Sequence, residues 1–129
     1  MKKRILVIDD DPQIRRVLRQ ALEWAEYEVI EAANGKTGIK LFHEMPPELT
    51  ITDLVMPEKE GIETIMEIRR HCPGAKIIAI SGGGRIGPEG YLSLALKLGA
   101  QRAFEKPFRL KEILDAIQEM IGAPPGEEV

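Results

Sequence analysis

The sequence predicts an α/β protein in which five β-strands alternate with five helices, doubly wound as a parallel sheet with helices on both faces. Three observations predict it. Short apolar and β-branched runs recur at Ile5-Leu6-Val7-Ile8, Leu49-Thr50-Ile51-Thr52 and Lys76-Ile77-Ile78-Ala79-Ile80, and such runs read as strands buried on both faces. Each is followed by a segment whose apolar residues fall at helical spacing. The 129 residues leave room for one core, and strict strand–helix alternation within one core implies parallel strands joined by helical crossovers.

The elements follow in order. The first strand closes at Asp9-Asp10-Asp11-Pro12, where Asp11 reads as an N-cap before a proline at the first helical position. The first helix sets Ile14, Val17, Leu18, Ala21, Leu22 and Ala25 inward and Arg15, Arg16 and Arg19 outward. Tyr27-Glu28-Val29-Ile30-Glu31 alternates, as a strand near a sheet edge does. Asn34-Gly35 caps a second helix with Gly38, Leu41, Phe42 and Met45 inward, and Pro46-Pro47 ends it. The third strand runs into Asp53. Gly61 opens a third helix with Ile62, Ile65 and Met66 inward, stopped by Cys72-Pro73-Gly74. The fourth strand ends at Ser81, and Gly82-Gly83-Gly84 begins a loop costly to order. A fourth helix covers residues 88–98, with Gly99 just past its end. Residues 100–104 form a weak fifth strand ending at Glu105-Lys106-Pro107. The last helix places Leu110, Ile113, Leu114, Ile117 and Ile121 inward. Residues 1–122 thus read as one domain, and the proline-rich residues 123–129 as a disordered tail or truncated linker.

Composition narrows the function. The net charge of −3 gives no global basic field, so no direct nucleic-acid partner is expected. Met1-Lys2-Lys3-Arg4 begins like a signal peptide, but the apolar run behind it is too short and stops at three aspartates. No stretch approaches membrane-spanning length, and the lone Cys72 allows no intrachain disulfide. A cytoplasmic protein without a membrane partner is the expectation.

In a parallel sheet the carboxyl ends of the strands share one edge, where open α/β folds bind their ligands. Strand one delivers Asp9 and Asp10 there, strand three Asp53, strand four Ser81 and strand five Lys106; strand two delivers only Ala32 and Ala33. Three carboxylates together invite a hard divalent cation with oxygen ligands, Mg²⁺ above all. A hydroxyl and an ammonium beside them suit a phosphoryl group, and a carboxylate can itself take one up as an aspartyl phosphate.

Val7-Ile8-Asp9-Asp10-Asp11-Pro12, Asp53-Leu54-Val55-Met56-Pro57 with Gly61, Ser81, and Lys106-Pro107-Phe108 together resemble the marks of receiver domains of two-component response regulators, of the chemotaxis-regulator kind. The resemblance covers nearly the whole chain. It implies a flavodoxin-like (βα)5 fold with strand order 2-1-3-4-5. It implies that Asp53 accepts a phosphoryl group from a sensor histidine kinase or histidine phosphotransfer protein. Asp10 would bind Mg²⁺ directly (Mn²⁺ could substitute), Asp9 would assist, and Asp53 and the backbone carbonyl of Val55 would complete the protein's metal ligands. Ser81, Gly82 and Lys106 would hold the phosphoryl oxygens. Phe104 takes the aromatic switch position coupled to Ser81, and the Lys106–Pro107 bond would be cis. Output would pass to a downstream protein effector through the face of helix four, strand five and helix five, with homodimerisation on phosphorylation left open. Such a domain is a phosphoacceptor switch rather than an enzyme, limited to self-phosphorylation from small donors and autodephosphorylation. The chain departs from the family pattern in two ways. The segment from Ser81 to Gly99 is longer than usual, and Val55 and Gly83 offer no polar side chain to orient a hydrolytic water.

Other readings stay beside this one. Asp9-Asp10-Asp11 also resembles the Asp-x-Asp of haloacid-dehalogenase-type phosphohydrolases, with Asp9 as nucleophile and Asp11 as acid, though that leaves Asp53 without a role. A receiver-fold scaffold indifferent to phosphorylation is the third reading. Asp11 is explained by its cap. His43 and His71 read as solvated helix-surface residues without a second metal ligand, Cys72 as incidental and Trp24 as packed. On helix four, Tyr91, Leu94, Ala95 and Leu98 share a face while Leu92 and Leu96 lie off it, which suits either a wide core face or an exposed partner surface.

Overall fold

A computed structural model describes residues 2–54, 61–82 and 88–122, with the side chains of residues 88–92 not described. Its elements are β1 (Arg4–Ile8), α1 (Pro12–Trp24), β2 (Glu28–Ala32), α2 (Gly35–Glu44), β3 (Leu49–Asp53), α3 (Gly61–His71), β4 (Ile77–Ser81), α4 (Pro88–Leu98), β5 (Arg102–Glu105) and α5 (Leu110–Ile121). The strands form one parallel sheet in the order β2-β1-β3-β4-β5. The expected flavodoxin-like topology is therefore observed, with β3 in the centre and the silent β2 at an edge.

The period of two in each strand divides the core in half. Leu6, Ile8, Ile77 and Ala79 face one layer, packed by Ile39 and Phe42 of α2, Ile65 and Ile68 of α3 and Ala95 of α4. Ile5, Val7, Ile51, Ile78 and Ile80 face the other, packed by Leu18 and Leu22 of α1 and Ile113 and Ile117 of α5. All five residues of β3 and of β4 are buried, as strands covered on both faces must be.

Local signals act where they were read. The Asp11 side chain accepts from Gln13 N at 2.9 Å and caps α1, and Asn34 accepts from Thr37 N at 2.8 Å and caps α2. Gly99, at φ +120°, ends α4 in a conformation that favours glycine. The Lys106–Pro107 bond is cis.

The helices bury narrower stripes than the sequence suggested. Val17 and Met66, expected inward, are both more than 40% exposed; Leu94, on the α4 face that suits either core or partner surface, is 40% exposed; and Trp24, expected to pack, is 85% exposed at the end of α1. Each lies at the rim of its apolar stripe, where spacing alone does not say how far a neighbouring element reaches. Leu96 is exposed beside Leu94, while Ala95 is fully buried. The expected tail at 123–129, the glycine loop beyond Gly82 and the Tyr91 and Leu92 side chains lie outside the described residues. No helix among the described residues is long and apolar enough to cross a membrane.

Candidate functional site

The register brings the predicted groups to one edge. Ile8 pairs with Thr52, Asp53 with Ile80 and Ser81 with Glu105, so β1, β3, β4 and β5 end nearly level. Backbone bonds extend the pairing past the strand ends: Asp9 N to Ala32 O at 3.1 Å, Leu54 N to Ile80 O at 2.9 Å and Lys106 N to Ser81 O at 2.8 Å. The predicted site residues are thus positioned by the sheet itself.

Asp9, Asp10 and Asp53 each offer a carboxylate oxygen, and these oxygens lie within 4.8 Å of one another. Asp9 is fully buried and Asp53 almost so, while Asp10 is exposed at the mouth. Lys106 reaches in from the end of β5, its Nζ 3.0 Å from Asp9 Oδ2 and 3.5 Å from Asp53 Oδ2. Asp9 Oδ1 accepts from Asp11 N at 2.9 Å. At 3.0 Å the Lys106 ammonium is the charge partner of the buried Asp9 Oδ2. Ser81 is fully buried next to Gly82, whose missing side chain leaves room for Lys106: a Cβ there would come 2.9 Å from Lys106 Cδ.

Three carboxylates, two of them paired with one ammonium, make an electron-rich, oxygen-only pocket with more negative than positive charge. That donor set fits a hard divalent cation such as Mg²⁺, which takes carboxylate ligands and keeps several waters. An exposed Asp10 suits direct binding by an ion entering from solvent. Asp9, expected to assist, has part of its charge already engaged by Lys106. Val55, whose carbonyl was expected as a further ligand, lies outside the described residues.

Burial pushes the Asp9 carboxyl above its ordinary value, and neighbouring Asp10 adds to this; the Asp11 N–H and Lys106 offset it only in part. Desolvation alone would lower the Lys106 pKa, but Asp9 and Asp53 outweigh it and hold the ammonium above its usual value. The linkage signs are opposite. Ionised Asp9 costs stability, so its contribution falls as pH rises from about 4 through its raised value. Charged Lys106 contributes stability at all pH values below about 10.5 and loses it only in the alkaline range above. Asp9→Asn in chelator is therefore expected to melt at or above the parent, by a margin that grows between pH 4 and pH 7. Thermal melts across that range check it, and a margin that shrinks with pH contradicts it.

The contacts of Arg15 and Arg19 beside the site were not read from the sequence. Arg15, expected outward, donates from Nη1 to the Asp9 carbonyl at 2.7 Å and pairs with Glu31 at 3.1 Å, and Arg19 pairs with Glu31 at 2.7 Å. These arginines tie α1 to β2 and fix the turn that presents Asp9; the acidic alternation of β2 was their only sequence signal. Phe104, the expected switch aromatic, is half-buried against the α1–α5 layer beside β4.

Comparison with known proteins bears on the same residues. A family model for the response regulator receiver domain matches residues 5–118. The chemotaxis protein CheY of Halobacterium salinarum is 37% identical over 124 residues, covering 95% of this chain and 100% of that protein. CheY of Thermotoga maritima is 35% identical over 121 residues, covering 93% and 98%. Among solved structures, the response regulator protein TrrA from Thermotoga maritima, crystallised in complex with Mg²⁺-BeF, superposes with a TM-score of 0.82 at 34% identity, covering 94% and 100% of the two chains.

Proposed function

The chain belongs to the response regulator receiver domain family, and from that premise we propose that it is a phosphorylation-controlled switch with Asp53 as phosphoacceptor. The observation that carries the proposal is the meeting of Asp53 with Asp9, Asp10 and Lys106 at the end of the central strand. A phosphoryl group leaves a histidine nitrogen of a sensor kinase or phosphotransfer protein and bonds to an Asp53 carboxylate oxygen. A Mg²⁺ ion held by Asp9, Asp10 and Asp53 supplies charge neutralisation for that transfer; the Mg²⁺-BeF complex of TrrA supports the choice of ion. Lys106 turns from pairing two carboxylates to pairing the new phosphoryl oxygens. Ser81 and Gly82, at the adjoining strand end, hold the others.

Phosphorylation then shifts a two-state equilibrium rather than starting a catalytic cycle. Ser81 is drawn to the phosphoryl group, Phe104 turns inward behind it, and the α4–β5–α5 face changes its preference for a protein effector or a second copy of the chain. Leu94 and Leu96 of α4 are exposed on the two flanks of the helix, either side of buried Ala95, and one flank at most serves that face. A cytoplasmic location goes with this reading, and it is compatible with the lack, among the described residues, of a helix long and apolar enough to cross a membrane. The switch does not require a turnover enzyme. The phosphohydrolase reading is disfavoured because the Asp11 carboxylate is engaged as the α1 cap, and Asp9 is buried against Lys106.

The switch is tested by amide NMR of the protein with Mg²⁺ and beryllofluoride, a phosphoryl mimic, with Asp53→Asn alongside. Shifts at Ser81, Phe104 and along α4, β5 and α5 are expected in the parent and not in the variant. Shifts confined to residues touching the acidic pocket would favour the phosphorylation-indifferent scaffold instead.

A further inference from the structure

The two histidines of the chain, read from sequence as isolated, meet in the fold. His43 lies in the last turn of α2 and His71 in the last turn of α3. Their ring centroids are 4.9 Å apart with the planes at 89°. Both side chains are exposed, and His43 is backed by the ring of buried Phe42 at 6.0 Å, edge to face. Because each helix runs back along the strand before it, these C-terminal turns lie at the edge of the sheet opposite Asp9 and Asp53.

We propose that His43 and His71 form a second cation site, a two-histidine clamp for a borderline transition-metal ion such as Zn²⁺, distinct in place and chemistry from the acidic pocket. The spacing supports it. Two imidazoles bound to one tetrahedral ion at Zn–N distances of about 2.0–2.1 Å put their centroids about 5 Å apart, and the observed separation matches that. The edge-to-face angle does not aim both nitrogens at one point, so binding requires the rings to turn about their Cβ–Cγ bonds, a torsion that is broad for histidine. The electrostatics also favour a cation. Two helix C-termini converge there with their partial negative charge. Of the two arginines in the last turn of α3, Arg69 is turned to the Pro73 and Gly99 carbonyls, and Arg70 is the cation beside His71 that a bound ion must outweigh. Among the described residues no third carboxylate, thiol or imidazole completes the pair, so water fills the remaining positions and the ion is exchangeable. Nitrogen ligands separate the two sites by metal: imidazole suits Zn²⁺, while carboxylates suit Mg²⁺. Bound metal would pin α2 to α3.

The test is calorimetric titration of ZnCl₂ into the full chain in excess Mg²⁺, which keeps the acidic pocket filled. His43→Gln, His71→Gln and the parent are compared, and the histidine ring ¹⁵N signals are followed by NMR. One Zn²⁺ per chain is expected in the parent, with both imidazoles shifting together. Each variant is expected to bind at least about tenfold more weakly, since even losing an outer partner of a ligand costs that much, while its Mg²⁺ affinity stays at the parent's. Failure of the parent to bind, or equal Zn²⁺ affinity in the variants, would overturn the proposal.

Discussion

Gly61→Ala is expected to destabilise the protein by about 3 kcal/mol, the upper end of the usual cost of overpacking, and to displace the phosphoacceptor. Gly61 is the first residue of α3 and its N–H donates to the Leu54 carbonyl at 3.1 Å. A Cβ at Gly61 would collide with the Asp53 carbonyl oxygen and sit 2.6 Å from Leu54 Cα and 2.7 Å from Asp53 C. All three obstacles are backbone, so no side chain can turn aside to make room. What must move is the end of β3, which is held on both sides by β1 and β4. For a domain of this size the cost corresponds to a fall in Tm of roughly 10 °C. Gly74 supplies the control, because a Cβ there would meet nothing within 4 Å, and Gly74→Ala is expected to leave stability unchanged or slightly raised. Thermal melts of the two variants decide the matter: equal Tm values would mean that the close approach of α3 to β3 does not position Asp53.

Lys106→Met is expected to have the second largest effect, and the effect should depend on both pH and metal. The ammonium lies within 3.0 Å of one buried carboxylate and 3.5 Å of another. Removing one partner of a buried charge pair typically costs about 3–5 kcal/mol. Here part of that is relieved, because an Asp9 already pushed upward by burial can take a proton. The loss should therefore be small near pH 5 and grow toward pH 8, as Asp9 is forced to ionise without its partner. Mg²⁺ should restore much of it, since the ion replaces the missing positive charge and binds more tightly once the competing ammonium is gone. Melting temperatures at several pH values, with Mg²⁺ and with chelator, check both signs. A Tm loss independent of pH, or weaker Mg²⁺ binding in the variant, would show that Lys106 is not the counter-charge of Asp9 and Asp53.

Most of the fold was legible because strand–helix alternation and continuous apolar runs leave one sensible architecture, and the groups past each strand end name the working edge. Asp9, Asp10, Asp53, Ser81 and Lys106 were found for that reason, and they meet at the end of the sheet as expected. Three things were less legible, each for a physical reason. Helix periodicity gives the centre of an apolar stripe but not its width, so Val17 and Met66 read as inward and are exposed. Trp24 looked like core by residue type, yet it falls at the last position of α1, beyond the layer that α5 and the sheet can cover. Pairings between elements leave no periodic trace, so the clamp of Arg15 and Arg19 on Glu31 and the meeting of His43 with His71 emerge only when the elements pack.

The central claim is that Asp53 is a metal-assisted phosphoacceptor. Intact mass after incubation with acetyl phosphate tests it most directly, with Mg²⁺ or chelator, on the parent and on Asp53→Asn. One added phosphoryl group is expected, in the parent and with Mg²⁺ only. Addition that persists in Asp53→Asn would move the nucleophile elsewhere, to Asp9 first, and contradict the account.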